Sequence, residues 1–71
     1  MTVTPAQAKK VLTGNYTFTQ FGFSMMLTRL KSVYQKDPSQ PTLESCVKEM
    51  NTFLAKFSAI MAKDYDTLVK L

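Results

Sequence analysis

The sequence predicts an all-α protein: a short N-terminal helix, then an antiparallel helical hairpin whose second arm is long, the whole forming a dimeric helical bundle. Three observations carry this expectation. Leu43, Val47, Met50, Leu54, Phe57, Met61, Tyr65 and Leu68 follow one another at steps of three and four, the spacing of one face of an α-helix. Asp37-Pro38-Ser39-Gln40-Pro41 breaks the helical pattern, because each proline disfavours helix in the residue before it. The only alternating stretch, Tyr16-Thr17-Phe18-Thr19, has no second strand to pair with.

The chain divides as one helical domain over residues 1–71, with helices at about 5–13, about 19–36 and about 42–70. Thr4-Pro5 suits a helix start, Thr as the N-cap and Pro in the first helical position. Ala8, Val11 and Leu12 would pin this helix to something larger. Gly14 is expected to end it in a left-handed conformation.

Residues 16–19 form the extended lead into the second helix, with Thr17 or Thr19 as its cap. Phe23, Met26, Leu27, Leu30, Val33 and Tyr34 make one face of that helix. Phe18, Phe21 and Met25 make a second, adjacent face. This arc is wider than one partner helix covers, so its Phe18–Met26 end is expected to need the first helix or another chain over it.

The third helix starts near Pro41 or Thr42, with Cys46, Phe53 and Ile60 widening its stripe and Ala55, Ala59 and Ala62 beside it. Glu44–Lys48 and Asp66–Lys70 are favourable i,i+4 pairs.

Helix lengths carry the expectation of association. The second helix would span roughly 26 Å and the third roughly 45 Å. The stripe continues into the overhang, so Phe57, Ile60, Met61, Tyr65 and Leu68 are the expected interface of a homodimer.

Composition narrows the chemistry. The chain has 71 residues, one cysteine and no histidine. A core this small buries only about 60% of the unfolded surface, and neither a disulfide nor a Cys/His metal site can supplement it. The five acids form no convergent pair: Glu44 and Glu49 point differently, and Asp64 and Asp66 diverge on their helix. Cys46 has no histidine to activate it and reads as a small buried hydrophobe. Two isolated glycines give no phosphate loop. No catalytic, cofactor or metal residue is assigned, and an enzyme is not expected. The polar start Met-Thr-Val-Thr-Pro, the lack of a long apolar run and the free thiol give a cytoplasmic expectation.

Charge is uneven. Residues 1–36 carry Lys9, Lys10, Arg29, Lys31 and Lys36 and no acid; residues 37–71 carry four lysines against five acids, leaving the chain at +4. The first expectation is therefore a protein–protein interaction module, an adaptor, inhibitor or regulator acting as a homodimer. It would use Phe18, Phe21, Met25 and Met26 for its partner, with the basic half steering acidic surfaces. The alternative is a nucleic-acid-associated regulator using those five basic side chains.

The turn Pro38-Ser39-Gln40-Pro41 resembles the turn of type III secretion needle subunits, and Lys63-Asp64-x-Asp66 adds to the likeness. The stretch from turn to C-terminus is shorter here, and the proline-capped first helix has no counterpart in the resemblance. That resemblance implies a polymerising structural subunit as a third reading.

Overall fold

Residues 2–56 and 62–71 are described by a computed structural model, residue 62 by its backbone alone. Among them lie four helices and no strand: α1 (Pro5–Thr13), α2 (Phe21–Lys36), α3 (Gln40–Lys56) and α4 (Ala62–Val69).

Local chemistry sets the start of α1. Thr4 Oγ1 accepts from the Gln7 backbone N–H at 3.2 Å, and Gln7 Oε1 accepts from the Thr4 N–H at 2.9 Å. This reciprocal box satisfies two donors that a bare helix start would leave open. At the other end the expectation fails. Gly14 has φ −103° and ψ −176°, extended and not left-handed. Glycine is needed for space instead: a Cβ there would stand 2.5 Å from the Tyr16 ring and 2.7 Å from the Lys10 carbonyl oxygen.

The cap of α2 also differs from expectation. Neither Thr17 nor Thr19 serves; Gln20 does, its Oε1 accepting from the Phe23 N–H at 2.5 Å. Between α2 and α3, Asp37 N donates to Val33 O, Ser39 O accepts from Leu43 N, and Thr42 Oγ1 donates to Asp37 Oδ2. Thus α3 opens at Gln40, slightly earlier than the proline pattern indicated.

Helices α1, α2 and α3 contact one another. They bury Ala8, Val11 and Leu12 of α1, Phe23, Leu27, Leu30 and Tyr34 of α2, and Leu43, Cys46, Met50 and Leu54 of α3. Phe23 lies between two rings, Phe18 edge-on at 5.2 Å and Phe53 tilted at 5.4 Å. Val3 joins the core, and its backbone pairs twice with the Asn51 amide: Val3 N donates to Oδ1 at 2.6 Å, and Nδ2 donates to Val3 O at 3.1 Å.

The single rod expected over 42–70 is corrected. Its described parts are α3, ending at Lys56, and α4, from Ala62; residues 57–61 lie outside the described residues. A straight helix of that length needs about 45 Å, whereas the largest dimension of the molecule is 31 Å. Instead α4 lies against the N-terminal part of its own chain. Leu68 is 1% exposed, Gln7 Nε2 donates to Leu68 O at 3.5 Å, and Lys10 Nζ donates to Leu71 O at 2.8 Å. The physical reason is that this return buries Leu68 without a second copy.

Size measures agree. The radius of gyration, 11.1 Å, equals the roughly 11 Å expected of a folded chain this long. The accessible surface, 4666 Å², is close to the roughly 4,450 Å² of a folded monomer of 8.0 kDa.

Candidate interaction face

Large apolar side chains meet water at Tyr16, on α4 at Tyr65 and Val69, and most fully on the outer side of α2. Phe21 is 76% exposed and Met25, one turn later, 58%. The other two expected partner-binding residues go elsewhere. Phe18 is 7% exposed and packs on Phe23, and Met26 is half-buried against the core. Phe18 belongs to the extended lead, so helical spacing does not place it on the face of Phe21.

The position of Phe21 is held from below by a distant acid. Asp64 is fully buried. Its Oδ1 accepts from Thr19 N at 2.7 Å and Thr19 Oγ1 at 3.0 Å, and its Oδ2 accepts from Gln20 N at 2.8 Å. A carboxylate at a helix N-terminus satisfies open N–H groups and meets the positive end of the helix dipole. These bonds fasten α4 to Thr19 and Gln20, the residue before the cap of α2 and the cap itself. Asp66 is exposed, so the two acids diverge as their spacing implied.

The basic residues are dispersed. Arg29 Nη2 pairs with Glu49 Oε1 at 2.8 Å across α2 and α3. Lys31 Nζ donates to Gly14 O at 3.3 Å, and Lys10 is engaged with Leu71 O. Lys9 and Lys36 are exposed, on α1 and α2 respectively. Beside Lys31 runs an open groove of about 780 Å³, walled by Leu12–Asn15 at the end of α1 and by Thr28, Lys31, Ser32, Tyr34 and Gln35 of α2.

Of the expected dimer residues, Leu68 is buried in its own chain and therefore closed to a second copy, while Tyr65 is exposed. Phe57, Ile60 and Met61 lie outside the described residues. With α4 returned onto the fold, Leu68 gives no support to a homodimer.

Cys46 is buried in α3. Burial first, and then the nearby Glu49 carboxylate, raise its pKa; Arg29 opposes them. A thiol held protonated in this way is a poor nucleophile. Among the described residues, no three His, Cys, Asp or Glu side chains are placed to hold a metal ion. No described helix is long and apolar enough to cross a membrane.

Sequence reasoning missed Asp64 as an anchor and Asn51 as the partner of Val3. A signal existed for the first. Asp64 lies four residues before Leu68, so it shares the inward face of that helix. An acid on an inward face needs donors aimed at it. Asn51 offered no comparable signal, because its partner is backbone.

Comparison with protein-family models, with curated proteins and with solved structures gives no match to this chain.

Proposed function

We propose that this chain is a small, non-enzymatic protein–protein interaction module whose contact face is the outer side of α2. In this reading α2 and α3 form the antiparallel hairpin that presents the face. The observation that carries the proposal is the exposure of Phe21 (76%) and Met25 (58%) on successive turns of one helix. Neither side chain adds to the core, and both suit burial against another surface.

The protein reading is preferred to the nucleic-acid one because the most exposed side chains of the face, Phe21 and Met25, are apolar and find no counterpart on a phosphate backbone. A second copy of the chain seated on Phe21 and Met25 is the competing occupant.

The test is a photo-crosslinking residue, p-benzoylphenylalanine, in place of Phe21, with the same residue in place of exposed Ser45 of α3 as control. One dominant adduct with another polypeptide, found from position 21, absent from position 45 and weakened by Met25→Gln, is the expected result. Equal, diffuse labelling from both positions would overturn the proposal. An adduct of twice the chain mass would identify the occupant as a second copy.

A further inference from the structure

We infer that the outer face of α2 receives an acidic amphipathic helix of another protein. Two apolar side chains one turn apart would seat on Phe21 and Met25. Carboxylates two to three turns further on would meet Lys36 and Lys31. The inference rests on the interaction-module reading and deepens it by naming the partner's chemistry.

Geometry supplies the first argument. Phe21, Met25, Thr28, Ser32 and Lys36 are all exposed. At 100° per residue they fall within an arc of roughly 80°, and they extend over roughly 22 Å of helix. That is a continuous strip of the width and length one helix covers. Its first turn and a half is apolar and the rest is polar, ending in a cation.

Charge supplies the second. No acid occurs anywhere in residues 1–36. Arg29 and Lys31 lie roughly 80° to either side of Phe21, so they flank the strip. Lys36 ends it in line, roughly 20° from Met25. Arg29 is paired with Glu49, but the two side chains are 57% and 44% exposed. Such surface pairs contribute only about 0.2–1 kcal/mol, so an incoming carboxylate can share the guanidinium. Opposite charge would steer the encounter and set the register of the partner.

Shape supplies the third. The groove of about 780 Å³ opens along the Lys31 side of the strip, lined by Thr28, Ser32 and Gln35 of the same helix. Long carboxylate side chains from a helix on the strip would reach into it.

Two other occupants match less of the face. A second copy offers exposed Tyr65 and Val69 one turn apart on α4, with Asp66 beside them, but α4 has 8 residues, roughly 12 Å, so it covers about half of the strip and brings no carboxylate two turns further on. A nucleic-acid strand would match the lysines, but its phosphate backbone offers nothing apolar to Met25.

The experiment titrates the full chain with a labelled synthetic helix of about 16 residues, followed by fluorescence anisotropy, its length set by the strip. The peptide carries leucines at its first and fifth positions and glutamates in its last two turns. One copy has lysines for the glutamates and another has serines for the leucines. A labelled single-stranded oligonucleotide is the fourth probe.

The acidic peptide is expected to bind at least about tenfold more tightly than the lysine copy and to weaken about tenfold between roughly 0.05 and 0.3 M salt. Phe21→Gln and Lys36→Glu should each weaken it at least several-fold, while circular dichroism reports an unchanged fold, both side chains being exposed. Equal binding of the acidic and lysine peptides, tighter binding of the oligonucleotide, or a chain that sediments as a dimer through Phe21 would overturn the inference. Absence of peptide binding beside a persistent crosslink from position 21 would overturn this partner chemistry and leave the module reading standing. Loss of both would overturn both.

Discussion

Helix α3 turns Glu44, Ser45, Lys48 and Thr52 to water, while α2, packed beside it, turns out Phe21 and Met25. Both helices are amphipathic, and both bury four side chains in the same core. Their inner faces do the same work. The outer side of α3 bears both signs of charge and an open hollow of about 280 Å³ between Ser45, Lys48, Glu49 and Thr52. The outer side of α2 bears exposed apolar groups, cations and no acid. The lesson is that apolar groups on the outside of α2 are not required by the core. A solvated helix of nearly equal length is available in the same chain, so a stability account of the inner face leaves Phe21 and Met25 unexplained.

The comparison can be broken most severely at Asp64. If its carboxylate anchors the entry into α2, Asp64→Ala leaves the donors of Thr19 and Gln20 unpaired. The expected loss is about 3 kcal/mol by urea unfolding. A loss below about 1 kcal/mol would mean that the position of Phe21 is set by something else.

A finer test concerns the Arg29–Glu49 ion pair, which ties the two outer faces together. A double-mutant cycle on Arg29→Ala and Glu49→Ala should give a coupling of about 0.5 kcal/mol. A coupling above about 2 kcal/mol would make Arg29 part of the scaffold and remove it from the contact face.

The smallest effect is the most telling. Phe21→Gln with Met25→Gln should change stability by no more than about 0.5 kcal/mol, the same as Lys48→Gln with Thr52→Gln on α3. A cost of about 2 kcal/mol for the first pair alone would show those side chains to be packed within the chain.

Legibility in the sequence followed the range of the interaction. Thr4-Pro5 and the break at Pro38 and Pro41 act on their neighbours, and both are visible without a fold. The inward residues Leu43, Cys46, Met50 and Leu54 of α3, and Phe23, Leu27, Leu30 and Tyr34 of α2, follow from helical period alone. Gly14 was legible as a stopping point but not in its reason, since the Tyr16 ring that crowds it is placed by the fold.

The return of α4 was hidden. A long stripe of period 3.6 reads the same whether it continues straight or doubles back, and the Asp64 bonds that decide the matter join residues 44 and 45 positions apart. The proposed contact face was half legible. Phe21 and Met25 were among the expected partner residues, but only the coordinates separate them from Phe18, which packs inward.

Two thioethers illustrate what the two-sided construction of the molecule entails under oxidative stress. The sulfur of Met50 is sealed, its residue 0% exposed, whereas Met25 stands in solvent. Peroxide therefore reaches Met25 before Met50 and turns its flexible apolar tip into a polar, chiral sulfoxide. The lesion spares the hydrophobic interior and falls on the exposed side of α2, so in the proposed reading oxidation alters recognition before it alters folding.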